Sequence, residues 1–470
     1  MNKNSNNFKT AEPESFRDSI NIISKEGKRN FVYPKEPKGK FYKLRTWFSI
    51  LLIAFLIGIP FIKVSGHPLM LFNIIERKFI MFGFGFGPHD FYLFVIAMIS
   101  FIVFIFLFTA VFGRVFCGWA CPQTVFLEIV FRRIEYLIEG DFLSQKRLHS
   151  APWTVSKIFK KLTKWSIFAV ISVIIANILI SWVTGIDELI KIISEPISQH
   201  TAGFIAMISF SVGFYFIFAW FREYACIYIC PYGRLQGVLL DQNSIVIAYD
   251  DMRGEPRGKL KKGQEHLHGD CVNCNECVVV CPTGIDIRNG TQLECVNCTA
   301  CIDACDNVMD KISKPRGLIR FASANMIKNK TKFKLTTRII GYSAVLAVLI
   351  AIFTILLAKR QPIDVTILRI PGLTYQEQPG NIISNLYSVK LINKTFDPVS
   401  INMELDEIDG EIKIIGNEII LEPDAVSEAK FLILIPKEKL KKMNTPLEIE
   451  IYKNNEKFRE YKTTFLGPGS

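Results

Sequence analysis

Five apolar runs recur along the chain, each close to the ~20 residues a helix needs to cross a hydrocarbon core. They occupy residues 47–64, 91–112, 166–185, 202–220 and 339–358. The first reads WFSILLIAFLIGIPFIKV and the last IIGYSAVLAVLIAIFTILLA. A sixth apolar stretch, LMLFNIIERKFIMFGFGFG, holds Glu76, Arg77 and Lys78 at its centre. Central charges are costly in lipid, so this stretch is expected at the membrane interface between spans one and two. Past residue 361 the period shortens to two. Runs such as 364-DVTILRI, 386-LYSVKLIN, 399-VSINMEL, 429-AKFLILI and 447-LEIEIY alternate and are rich in β-branched residues. Turn signals such as 396-FDP, 408-IDG and 422-EPD separate them. Seven or eight such strands predict an antiparallel sandwich over 361–470.

Charge orients this pattern. The chain carries a formal net charge of +12, and its position decides its meaning. Lys and Arg crowd the segment before span one and the 113–165 and 221–338 loops (Arg114, Arg132, Arg133, Lys161 and Lys164 among them), while 65–90 and 186–201 hold few. The positive-inside rule puts the N-terminus in the cytoplasm, and five crossings put the C-terminal sandwich outside, in the periplasm of a bacterial inner membrane. Topology accounts for the basic excess, so no nucleic-acid partner is expected. Residues 1–45 lack the apolar core of a signal peptide and are expected to form a poorly ordered basic cytoplasmic tail. The domain plan is that tail, a membrane domain over 46–247, a cytoplasmic cysteine-rich domain over 248–338, a last span at 339–358 and the sandwich.

All 12 cysteines fall on the expected cytoplasmic side or at cytoplasmic span ends, where thiols stay reduced and a disulfide scaffold is not expected. Eight lie in 271-CVNCNECVVVCP-282 and 295-CVNCTACIDAC-305. C-x2-C-x2-C-x3-C-P is ferredoxin spacing, in which three thiolates of one loop meet one 4Fe–4S cube and the fourth reaches the other cube. Cys271, Cys274, Cys277 and Cys305 are the expected ligands of one cluster, and Cys295, Cys298, Cys301 and Cys281 those of the second. Asp306 replaces the second proline. Zinc needs four ligands, commonly as two CxxC pairs; two triads with two exchanging singles suit paired clusters better. Small residues such as Thr299, Ala300 and Gly284 allow close approach.

Four more cysteines form 117-CGWACP-122 and 226-CIYICP-231, each just after a span. Positions i and i+4 share a helix face, so the sulfurs of a pair can meet one soft ion. Proline next to Cys121 and Cys230 places them near helix N-termini, where the dipole lowers a thiol pKa. Cu(I) binding and thiol–disulfide redox work both suit Cys117, Cys121, Cys226 and Cys230. The linker 248–270 is expected to dock the cluster domain near the membrane, with His266 and His268 as loop residues. Trp47, Trp119, Trp165 and Trp220 are expected as interface anchors.

The order VFCGWACPQTVF, YACIYICPYGRLQG, RGEPRG, the 269–305 cysteine block and PRGLIRFAS resembles the cytochrome c oxidase accessory protein family (CcoG, also called FixG or RdxA) over roughly residues 40–470. It departs at 65-SGHP-68, where many members have an NGR-like turn. The resemblance implies a membrane-anchored two-cluster polyferredoxin: an α-helical polytopic membrane protein of about five transmembrane helices, with an inserted bacterial-type two 4Fe–4S ferredoxin domain and a C-terminal Ig-like β-sandwich. It implies an oxidoreductase role in oxidase assembly, reducing Cu(II) to Cu(I), with the four membrane-end cysteines as the redox or copper site. The expected partners are oxidase subunits or a copper chaperone or transporter, a cytoplasmic electron donor, and a second copy in a homodimer. Two alternatives stand beside it: a quinol-oxidising membrane ferredoxin feeding a respiratory reductase, and a non-catalytic assembly scaffold with redox-sensing clusters.

Overall fold

The computed structural model describes residues 31–64, 66–74, 78–259, 268–292, 294–330, 332, 334–406, 408–416, 419–423, 425–440, 442–454 and 456–468. Residues 1–30 of the basic tail, Glu76 and Arg77 of the sixth stretch, and His266 in the linker lie outside them. Five helices among the described residues are long and apolar enough to cross a membrane: Lys40–Phe61, Pro88–Phe112, Val155–Thr184, Thr201–Phe221 and Thr337–Ala358. The chain divides into two compact units, Met1–Ile62 with Ile96–Ala351, and Lys63–Val95 with Ile352–Ser470.

In the first unit, two helices start earlier than their hydropathy suggests. The third begins at Val155, where the Thr154 hydroxyl accepts from the Lys157 amide at 3.3 Å. Its 30 residues reach ~45 Å at 1.5 Å per residue, longer than the ~30 Å hydrocarbon core. Its first turns therefore hold Lys157, Lys161 and Lys164 without breaking the span. The first helix begins at Lys40, so the described part of the expected tail is ordered. Asp303 supplies the physical reason: its carboxylate accepts from the Phe41 and Tyr42 amides at 3.1 and 2.8 Å, capping the helix from the cysteine-rich segment. Gly39 makes room, since a Cβ there would sit 2.2 Å from Asp303 Cγ.

Aromatics fill the interior of the helical part. Phe126, Phe131, Phe168, Phe214 and Phe218 form one core, with Phe131 stacked on Phe218 at 4.7 Å. Trp47, Trp165 and Trp220 are exposed, whereas Trp119 is half-buried with its indole Nε1 inside the protein. The strand Val246–Tyr249 pairs antiparallel with Ile319–Ala322, so it straddles the expected 247/248 boundary and closes the cysteine-rich segment.

The second unit is a β-sandwich of antiparallel sheets. One sheet orders Glu411–Ile415, Val426–Pro436, Ile382–Asn393 and Ile363–Arg369, with Gln376–Gln378 added on Ile382–Asn393. The other orders Ile419–Leu421, Val399–Leu405, Asn444–Lys453 and Glu456–Leu466. Alternate residues point inward: Tyr387, Val389, Leu391, Phe431, Ile433, Ile449 and Ile451 are fully buried. Truncating Ile449 to Ala is expected to cost about 2–5 kcal/mol, read as an earlier unfolding transition of the sandwich by calorimetry. The sixth apolar stretch folds here as a three-stranded antiparallel sheet, Met70–Asn73, Lys78–Met81 and Phe84–Phe86. Buried Asp90 joins this part of the unit to the sandwich, taking Arg360 at 2.8 Å and Lys394 at 2.7 Å.

Candidate functional site

The two cysteine loops share one backbone design. Asn273 and Asn275 in the first, and Asn297 and Thr299 in the second, all have positive φ, between 54° and 69°. Asn tolerates this left-handed region, while a β-branched Thr is strained there. Thr299 is fully buried, and its hydroxyl donates to the Cys298 carbonyl. The left-handed residue ends each loop and starts a helix, Glu276–Val279 in one copy and Ala300–Lys311 in the other.

Around these loops lie two cavities. Cys271, Cys274, Cys277 and Cys305 line the first, with Tyr249, Arg288 and Met309. Cys281, Cys295, Cys298 and Cys301 line the second, with Ile247, Pro282 and Ile285, and Cys277 reaches both. Cys281 follows the first triad in sequence yet faces the second cavity, and Cys305 does the converse. Among the described residues no three His, Cys, Asp or Glu side chains converge on a single metal ion. Each cavity is lined by the three thiols of one loop and a fourth from the other, the donor set that the iron corners of a cube take. Burial pushes the Cys277, Cys295 and Cys305 thiols up to about 12, and Cys301 well above its ordinary range. Thiols raised this far by burial ionise only beside a cationic partner such as iron.

The two C-x3-C-P motifs are built alike. Cys117 sits in the helix Val115–Trp119 and Cys226 in a π-helical turn, Ala225–Ile229. In both, the second cysteine closes the turn with a bond five residues back: the Cys121 amide donates to Phe116 O and the Cys230 amide to Ala225 O, each at 2.9 Å. Pro122 and Pro231 then open new helices with Cys121 and Cys230 as N-caps. The two cysteines of a pair thus stand on either side of a helix break, which corrects the expected single helix face. The motifs meet in space, since Cys226 feels Cys121, Cys117 and Cys230 electrostatically. Burial pushes the thiols of Cys226 up to about 12 and Cys117 up to about 11, and raises Cys121. At Cys121 the expected lowering by the helix dipole is outweighed by desolvation.

This thiol group rests directly on the second cysteine loop. A Cβ at Gly118 would lie 2.4 Å from the Val296 carbonyl oxygen, so only glycine admits the approach. Buried Arg45 donates from Nε to the Gly118 carbonyl at 2.7 Å. Cys117 belongs to the same buried core as Val296, Cys298 and Cys301. Gln236, wholly buried, accepts at Oε1 from Cys117 Sγ at 3.2 Å and from Arg114 Nε at 2.8 Å. Next to it runs an ion network. Arg132 pairs with Glu128 and Glu223, Arg222 takes Glu135 through Nη1 at 2.7 Å and Nη2 at 2.9 Å, and Lys161 and Lys164 take Glu139 at 2.7 and 2.9 Å. Sequence reasoning had Arg114 and Arg132 only as topology charges and missed Gln236, Glu223 and Gly118. The one available signal was the glycine inside C-G-W-A-C.

A 4Fe–4S dicluster domain model matches residues 221–324, and a model of the Ig-like fold at the C-terminus of FixG matches 353–468. A 4Fe–4S binding domain model matches 94–148 and 199–242, the segments that hold the two C-x3-C-P motifs. Protein RdxB of Cereibacter sphaeroides is 36% identical over 390 residues, 78% of this chain and 80% of RdxB. Protein RdxA of the same organism is 37% identical over 306 residues, 62% of each chain. Nitrogen fixation protein FixG of Rhizobium meliloti is 29% identical over 464 residues, 87% of each.

Proposed function

The chain belongs to the FixG/RdxA family and is a membrane-associated iron–sulfur electron-transfer protein, and from that premise we propose that it reduces Cu(II) to Cu(I) at the paired C-x3-C-P thiols for building an oxidase copper site. Cys271, Cys274, Cys277 and Cys305 would hold one 4Fe–4S cluster, and Cys281, Cys295, Cys298 and Cys301 the other. When bound, these clusters supply one-electron storage and transfer. Copper is the substrate, taken by the soft thiols of Cys117, Cys121, Cys226 and Cys230. The observation that carries this proposal is the contact of Gly118 with the Val296 carbonyl, which seats a membrane-end thiol helix on the second cysteine loop. The chain's own residues fix that geometry: Arg45 anchors Gly118, Asp303 ties the first helix to the cluster segment, and Gln236 orients the Cys117 thiol. The oxidase destination is supported by the family resemblance. The distribution of Lys and Arg supports a cytoplasmic cluster side, and the odd number of spans supports a periplasmic sandwich, whose expected partner is an oxidase subunit or copper carrier.

The test is anaerobic Cu(II) reduction by the dithionite-reduced full chain. Cys117→Ser with Cys121→Ser is expected to abolish it while iron content and the cluster EPR signals stay at wild-type levels. Equal rates in the variant would overturn the site. Quinone reduction that survives in the same variant would favour the quinol-oxidising alternative. The match of a 4Fe–4S model to the C-x3-C-P segments favours a second reading, in which these four cysteines hold a third iron–sulfur centre. Iron analysis separates the two, with about eight irons per chain for two clusters and about twelve for three.

A further inference from the structure

Arg114 is only 5% exposed, and among the described residues no carboxylate lies within ion-pair distance of it. A buried charge without a partner is costly, so what surrounds this guanidinium indicates what it is there to balance. Its Nε is fixed by Gln236, the same amide oxygen that accepts from Cys117. It also reaches the Cys117 thiol, and its charge is felt at Cys226, one cysteine from each motif. Gly233 leaves the space it occupies: a Cβ there would lie 3.0 Å from Arg114 Nη2 and 2.6 Å from the Cys226 carbonyl. A cavity lined by Arg114 and Cys226 also holds three carboxylates. Glu128 and Glu223 are both taken by Arg132, and buried Glu294 feels the Arg114 charge across the cavity but makes no ion pair with it and leaves Oε2 without a hydrogen-bond donor. The position equivalent to Arg114 in the second motif, three residues before its first cysteine, is Glu223. The cation is thus a property of the site as a whole, one per four thiols.

We propose that Arg114, held by Gln236, is the counter-cation that makes the C-x3-C-P thiols selective for a monovalent soft metal ion over a divalent one. The charges give the reason. Two thiolates around Cu(I) leave a net charge of minus one, which Arg114 neutralises. Two thiolates around Zn(II) leave zero, and the buried arginine stays unbalanced. The same balance favours reduction in place: a bis-thiolate Cu(II) unit is neutral, and one electron from the reduced iron–sulfur side of the chain takes it to the anion that Arg114 stabilises. No proton is consumed and no thiol is oxidised.

The inference rests on the copper reading of these four cysteines, and the experiment separates the two. The full cluster-loaded chain is titrated anaerobically with Cu(I) against bathocuproine disulfonate and with Zn(II) against a pyridylazo chelator. Arg114→Gln is expected to weaken Cu(I) binding by about a hundredfold, the scale of removing one partner of a buried charge pair, without weakening Zn(II). Arg114→Lys is expected to restore part of the preference. Gln236→Glu keeps the arginine and puts a carboxylate in direct hydrogen-bond contact with it, and is expected to lower the Cu(I) preference in a chain of nearly unchanged shape. Wild-type EPR signals from the clusters show that each variant is folded. An unchanged Cu(I)-to-Zn(II) preference in both Arg114→Gln and Gln236→Glu overturns the proposal and leaves the copper reading standing. A wild-type chain that binds no Cu(I) overturns both.

Discussion

Cys301→Ser is expected to lower the iron content from about eight to about four per chain and to abolish Cu(II) reduction. Cys301 lies in the first turn of Ala300–Lys311 and faces the second cavity. It is buried in the core that also holds Cys117 and Cys298. A serine hydroxyl is harder and less acidic than a thiol, so it is a poor iron ligand there. No other described cysteine outside the eight lines that cavity, so no spare thiol replaces it. Cys274→Ser is the informative comparison. It strikes the first cavity, where Cys274 is exposed, and the same amount of iron is expected to leave. Copper reduction by the pre-reduced chain, freed of dithionite, is expected to persist in part, because the loop in contact with Gly118 is the second one. Iron analysis, EPR and the copper assay on the two variants check this. Equal loss of copper reduction in both would remove the second cluster from its place next to the thiols.

Much of the architecture was legible wherever one period dominated. Apolar runs near twenty residues marked all five long helices, and strict alternation marked the strands of the sandwich. The third helix start was hidden because Lys157, Lys160, Lys161 and Lys164 lower hydropathy without opposing helix formation. The stretch 69–87 was hidden for the opposite reason. On either side of its central charges it is so apolar that a two-residue period is invisible, and a three-stranded sheet looks like an interfacial segment. The cysteine spacing made both loops legible, since the left-handed Asn positions repeat with the motif. The residues that serve the thiols were not, because they pair across the chain: Arg114 with Gln236, and Gly118 with Val296, which lies in a different domain of the sequence plan. Arg132, Arg222, Lys161 and Lys164 carried a correct count of positive charge and no sign that four glutamates bury it.

Arg222→Met is expected to destabilise the chain by about 3–5 kcal/mol, the cost of breaking a buried ion pair from one side. Four cations, Arg132, Arg222, Lys161 and Lys164, meet four anions, Glu128, Glu135, Glu139 and Glu223, in one buried network. Its charge is balanced, so removing one member leaves an uncompensated charge behind. Arg222 also sits at φ 51°, ψ −122°, strained for any residue but glycine, and its bidentate grip on Glu135 is what holds it there. Burial works to raise the Glu135 pKa, but the Arg222 and Lys164 charges outweigh it and bring it down to about 2 from an ordinary 4.5. Its contribution is therefore complete above pH 4.5 and is lost as the pH falls towards 2. The double variant Glu135→Gln with Arg222→Met removes both charges and is expected to recover a large part of the stability. Function reports on the same contacts. Glu223 lies three residues before Cys226, and Arg132 ties it to the helical segment that begins after Cys121. Arg222 lies 3.7 Å from the same Glu223 carboxylate, so Arg222→Met loosens this tie and is expected to lose copper reduction while keeping its clusters. Thermal unfolding in detergent, followed by iron retention and the copper assay, tests both parts; a single variant as stable as the wild type would show that the network carries no net load.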